Sequence, residues 1–148
     1  MGVDIELDHA AIGNGRGLAL VGPTTDIDWL CLPRFDSPTV FGRLLDDEIG
    51  GVWAFVGADG KRRNGKLSYI KNTNVSCVVV EDGDTAFEVV DFLPRIPKGI
   101  GGHAPLEIVR MLRPIKGHPR LRVLFDPRPG FGKDKPTLVE TANGVDVK

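Results

Sequence analysis

Two apolar runs on either side of Asp82-Gly83-Asp84 constrain this chain more than any other stretch. Residues 74–81 carry the core Cys77-Val78-Val79-Val80. Residues 85–92 place Phe87 and Val89 on one face and Glu88 and Val90 on the other. β-Branched and aromatic residues flanking a short glycine-containing turn read as an antiparallel hairpin. The same punctuation recurs along the chain. Residues 18–21 and 27–32 flank Gly22-Pro23-Thr24-Thr25-Asp26, and residues 52–55 run into Ala58-Asp59-Gly60-Lys61. Residues 67–70 lead into the central hairpin. Residues 106–112 and 120–126 flank Gly117-His118-Pro119, with Leu121, Val123 and Phe125 inward and Arg120 and Arg122 outward. Residues 137–141 and a strand opening at Val145 flank Asn143-Gly144. With 19 Gly and 11 Pro to break it, the chain reads as nine or ten short strands. That pattern predicts an all-β, antiparallel sandwich. One short helix is expected over residues 38–45, with Ser37 as N-cap, Pro38 as its first residue, and Val40, Phe41, Leu44 and Leu45 on one face. There is no alternation of strands with long helices, no internal repeat and no linker, so residues 1–148 are expected to form a single domain.

Composition narrows the function. Hydrophobic residues make up 41% of the 148 and charged residues 26%, enough for a packed core. Nineteen basic residues against 20 acidic ones argue against a nucleic-acid partner, which requires a basic excess on one face. No apolar run approaches the ~20 residues that span a bilayer, so no membrane association is expected. Residues 1–8 are acidic and lack the apolar core of a signal peptide, and Glu6 stands where a myristoylation motif needs Ser or Thr. The expectation is a cytoplasmic protein. Cys31 and Cys77 each sit in an apolar run and read as free, buried thiols. Two cysteines cannot complete a Cys₄ zinc site, and His9, His103 and His118 have no ligand spacing, so neither metal nor cofactor is expected. Gly13-Asn14-Gly15-Arg16-Gly17 lacks the preceding strand and following helix of a phosphate loop and reads as a turn. Lys61-Arg62-Arg63 reads as a solvated turn.

The chemically unusual segment is Trp29-Leu30-Cys31-Leu32-Pro33-Arg34-Phe35-Asp36-Ser37-Pro38-Thr39-Val40-Phe41. Two prolines restrict the backbone on both sides of Arg34, Phe35 and Asp36. Such a loop suits a polyhydroxylated ligand or a docked domain: Arg offers a fork of donors, Asp accepts from hydroxyls, and Phe supplies a stacking face. The plainer alternative is that Arg34 and Asp36 pair with each other. Trp29 reads as core or as interface, and Phe35 as an interface or ligand contact. Asp91 and Arg95 flank Phe92-Leu93-Pro94 and are expected to form a loop-fixing salt bridge.

Ile12-Gly13-Asn14-Gly15-Arg16 followed by the segment from Asp28 to Pro38 resembles the start of bacterial glycoside hydrolase family 15 proteins, the glucoamylase-like and trehalase-like enzymes. Asp91-Phe92-Leu93-Pro94-Arg95, Ile108-Val109-Arg110 and Phe125-Asp126-Pro127-Arg128 match that pattern in the same order. The resemblance covers roughly Ile5 to Gly132. It implies an N-terminal β-sandwich packed on a separate α/α barrel of twelve helices, which supplies the two glutamates of inverting α-glucoside hydrolysis. Twelve helices of about 11 residues need roughly 130 residues before loops, which a β-rich chain of this length cannot also hold. The resemblance therefore implies a domain with no catalytic residue of its own, inactive alone. It would pack on a helical catalytic domain in the same polypeptide, and Arg34, Phe35, Asp36 and Trp29 would line that interface or the α-glucoside cleft. An uncovered interface would also be open to self-association. The competing reading is an independent carbohydrate-binding module, for which two Trp and one Tyr are few.

Overall fold

The computed structural model describes residues 8–148. The acidic stretch that argued against a signal peptide lies, up to residue 7, outside them. Among the described residues twelve strands form, two or three more than expected: β1 (Ala10–Gly13), β2 (Leu18–Val21), β3 (Ile27–Cys31), β4 (Thr39–Phe41), β5 (Val52–Gly57), β6 (Lys66–Tyr69), β7 (Ser76–Asp82), β8 (Thr85–Phe92), β9 (Val109–Lys116), β10 (Leu121–Asp126), β11 (Leu138–Thr141) and β12 (Gly144–Val147). The all-β expectation is met. One sheet runs β1-β2-β3-β5-β10, with β4 beside β3, and the other runs β6-β7-β8-β9. β11 and β12 form a separate hairpin. The strand pairings are antiparallel.

The core lies between the two larger sheets. Ile12, Val21, Ile27, Leu30, Phe41 and Phe55 of the first meet Val78, Val80, Phe87 and Val89 of the second. Directly opposed residues of an antiparallel pair share a face, so Val78–Val89 and Val80–Phe87 explain why the central hairpin was so legible. Phe125 packs edge-on against Phe41 and Trp53, with ring centroids 5.8 and 5.5 Å apart.

The expected helix over residues 38–45 is not formed. Thr39–Phe41 is strand β4, with Phe41 opposite Leu30 and Thr39 opposite Cys31. β-Branched Thr39 and Val40 and aromatic Phe41 suit a pleated, half-buried strand. The supposed helical face is not one, because Leu44 and Leu45 are exposed and residues 43–45 make only a turn. The strand expected over residues 106–112 starts later, at Val109 opposite Phe92. It runs on through Pro114, which is tolerated because β9 is an edge strand. Cys31 and Cys77 are free, the first buried and the second half-buried. Burial pushes the Cys31 thiol up from its ordinary value.

Candidate functional site

Three loops far apart in sequence meet at one end of the sandwich. The connection between β1 and β2 is organised by Asn14, which is buried. Its Oδ1 accepts from the backbone N–H of Arg16 at 3.0 Å and of Gly17 at 3.1 Å. Its Nδ2 donates to the carbonyls of Pro94 at 3.0 Å and Pro105 at 2.8 Å. The amide thus ties its own turn to both ends of the β8–β9 loop. Arg95 returns the contact, donating to the Asn14 carbonyl at 2.9 Å and to the Gly101 carbonyl at 2.9 Å. Gly15 sits at φ +86°, and a Cβ there would lie 3.0 Å from the Arg95 guanidinium. A glycine is needed at that position for both reasons. The turn expected at residues 13–17 is present, but the strand expected to be missing before it is there as β1; a strand, β2, and not a helix follows it, and its asparagine joins it to the segment that holds Arg95.

The third loop joins β3 to β4. Arg34 and Asp36 pair bidentately, Nε to Oδ1 and Nη2 to Oδ2, both at 2.8 Å. The Ser37 hydroxyl accepts from the Arg34 N–H at 3.2 Å, and the Ser37 N–H donates to the Arg34 carbonyl at 3.1 Å. The hydrogen bonds from Arg34 hold the Asp36 carboxyl below its usual range. With both charged side chains tied down, Phe35 stands out at 68% exposure. It borders a depression of about 340 Å³ with Gly13, Gly15, Gly17 and Leu18. A second depression of about 580 Å³ lies on the same turn, against Asn74, Phe92 and Arg95. Leu18 on β2 and Ile96 and Ile100 in the β8–β9 loop are also exposed. Trp29 stands apart from Arg34, Phe35 and Asp36: it is half-buried within β3, opposite Leu20.

Asp91 does not pair with Arg95. Its partner is Arg110, across the β8–β9 ladder, with Nε to Oδ1 at 2.8 Å and Nη2 to Oδ2 at 3.1 Å. Both side chains are shut off from solvent. Arg110 also donates to the carbonyls of Trp53, at 2.6 Å, and Thr25, and lies 5.2 and 5.0 Å from the ring centres of Trp53 and Phe55. One side chain thereby bonds the two sheets together. Register decides the pairing: directly opposed residues share a face, whereas Arg95 lies beyond the strand end.

A second buried charge network was not legible in the sequence. Arg43 bridges Asp26 at 2.6 Å and Asp28 at 3.0 Å. His9 Nε2 lies 2.8 Å from Asp28, and Arg62 3.1 Å from Asp26. Burial, and then the Asp28 carboxylate, holds Asp26 above the usual aspartate range, against the pull of Arg62, Thr24 and Arg43. The basic cluster at residues 61–63 is not simply solvated, since Arg62 joins this network and Arg63 pairs with Asp59 and Asp82. These carboxylates are committed to arginines, an arrangement suited to fixing loops rather than to moving protons. Among the described residues, no group of three or more His, Cys, Asp or Glu is arranged to hold a metal, and no helix is long and apolar enough to cross a membrane.

Residues 3–148 match the family model described as "Trehalase-like, N-terminal". The chain belongs to the trehalase-like N-terminal domain family. This trehalase-like N-terminal domain is 31% identical over 137 residues to a trehalase of Thermoplasma volcanium, covering 92% of this chain and 22% of that protein. It is 39% identical over 89 residues to trehalase 1 of Sulfolobus acidocaldarius, covering 60% of this chain and 15% of the relative. A trehalase of Mycobacterium tuberculosis is 42% identical over 43 residues, 29% of this chain and 6% of that one. The domain thus spans less than a quarter of the length of these relatives. No solved structure matches it significantly. Of the segments that carried the resemblance, parts of residues 12–16, 28–38 and 91–95 build the end of the sandwich described above, whereas Arg110 of residues 108–110 and Phe125 of residues 125–128 pack by Trp53.

Proposed function

We propose that residues 1–148 form a single, non-catalytic β-sandwich domain of an α-glucoside hydrolase of the trehalase or glucoamylase type. It packs on and supports a separate helical catalytic domain of the same longer polypeptide. The convergence of three loops at one end, with Phe35 exposed between tied-down charges, is the observation that carries this reading. Asn14 and Arg95 spend their hydrogen bonds on rigidifying this end. A rigid end that still leaves Leu18, Phe35, Ile96 and Ile100 in water is built to receive something. Arg34 and Asp36 sit at the border of that surface, where the catalytic domain's substrate cleft would open. The names of the relatives favour trehalose as the α-glucoside. A free-standing carbohydrate-binding module is less well supported, because among the described residues the exposed aromatics are few, Phe35, Tyr69 and Phe131, and the Tyr69 hydroxyl is already bonded to the Ala11 backbone.

The test is Arg34→Ala in the full-length enzyme. Loss of the guanidinium frees Asp36 and the loop, and kcat/KM for trehalose is expected to fall about tenfold, the equivalent of ~1.4 kcal/mol. Unchanged turnover and substrate affinity, at normal stability, would remove Arg34 and Asp36 from the cleft.

A further inference from the structure

The sandwich is open along one side. β10 ends the first sheet and β9 ends the second. Val123 is opposite Phe55, and Phe125 opposite Trp53, so Val123 faces the core side of β10 as its alternation implies. It is nevertheless 62% exposed. Leu112, opposite core residue Val89, is likewise turned inward and 42% exposed. Inward-facing residues that remain in water mark a core with its filling missing. Against the first sheet, just before the start of β9, lies an apolar groove of about 370 Å³, walled by Leu32, Val40, Trp53, Ile108 and Phe125.

The two free edges are not equivalent. β9 carries Pro114 between Arg113 and Ile115, ends on Lys116, and has a register shift against Ala86 and Phe87 of β8. Proline, charge and a bulge are the devices that protect a sheet edge from further pairing. β10, Leu121-Arg122-Val123-Leu124-Phe125-Asp126, has no proline and keeps continuous register with β5 over all six residues. It is an edge left available for another strand.

We infer that β10 is not an edge in the complete protein: a β-strand from the longer polypeptide outside residues 1–148 pairs with it and lays apolar side chains over Val123, Leu112 and the groove. The occupant is assigned to the same polypeptide on two grounds. The relatives extend far beyond the matched region, which is 22% of the Thermoplasma volcanium trehalase. In addition, Val147 of β12 lines the groove, so this polypeptide already contributes to its wall from outside the two large sheets. This inference rests on the proposed function in requiring a longer polypeptide, but it concerns the sandwich and not the catalytic site.

The test compares amide hydrogen exchange in the full-length protein and in the 148-residue chain. Amides of β10 are expected to exchange at least about 100-fold more slowly in the full-length protein. Val123→Lys is expected to shift the Tm of the 148-residue chain by less than about 2 °C, because Val123 is already exposed there, and to lower that of the full-length protein by about 5 °C or more. Equal exchange of β10 in both proteins overturns the inference. So does protection in the 148-residue chain that rises with protein concentration, which would assign the edge to a second copy. Absence of trehalose hydrolysis by the full-length protein would count against the proposed function and leave the exchange result intact.

Discussion

Arg110→Met tests the physical core of the fold. Arg110 is 1% exposed and its partner Asp91 fully buried. The substitution strands that carboxylate and removes the donors to the Trp53 and Thr25 carbonyls. Breaking a buried ion pair by removing one partner costs about 3–5 kcal/mol. Each of the two carbonyls left without a donor adds ~1–3 kcal/mol, so a loss of at least about 5 kcal/mol follows. Against a typical total of 5–15 kcal/mol, that is a large fraction. At about 2–4 °C per kcal/mol for a chain of this size, Tm should fall by about 10–20 °C. Urea unfolding followed by Trp29 and Trp53 fluorescence measures the loss directly. Asp91→Leu combined with Arg110→Met removes both charges together and should recover the ion-pair share, about 3–5 kcal/mol, leaving the deficit of the two bare carbonyls, about 2 kcal/mol or more. The reasoning is refuted if Arg110→Met alone costs less than about 1 kcal/mol, or if the double variant is as unstable as the single one.

Two further outcomes follow from the buried polar groups. Asn14→Ala leaves two carbonyls and two N–H groups without their partner, and should cost about 2–3 kcal/mol in urea unfolding; a loss within 0.5 kcal/mol would mean that Asn14 does not tie the loops together. Asp26 has a folded-state pKa raised by burial and by Asp28, so its proton-linked stabilisation is complete below the unfolded-state value and is lost as pH rises through the folded-state one. The Tm advantage of the native chain over Asp26→Asn, scanned from about pH 3 to about pH 7, should therefore shrink with rising pH, and an advantage that grows would reverse the assignment.

The strands were legible wherever alternation met a clear turn. Val78, Val80, Phe87 and Val89 announce the β7–β8 hairpin because period-two burial is written into side chains a few residues apart. Thr39–Phe41 was misread because Ser37-Pro38 is a sound helix start in isolation, while the deciding partners, Leu30 and Cys31, belong to another strand. Arg110 was visible only as part of a family pattern, since nothing local reveals that register sets it against Asp91 and under Trp53 and Phe55. The network of Asp26, Asp28, Arg43 and Arg62 escaped notice for the same reason, joining residues up to 36 positions apart. The Arg34–Asp36 pair was foreseeable because its partners are two residues apart. That Phe35 would stand beside the Gly13–Gly17 turn was not, because the loops come together only through the folded sheet.

The proposed catalytic neighbour would cover the end of the sandwich built by Asn14, Phe35 and Arg95. Hydroxyl-radical footprinting of Phe35 in the 148-residue chain and in the full-length protein tests it most directly. The account predicts rapid oxidation of Phe35 in the short chain, where it is 68% exposed, and strong protection in the long one. Equal oxidation in both would contradict it.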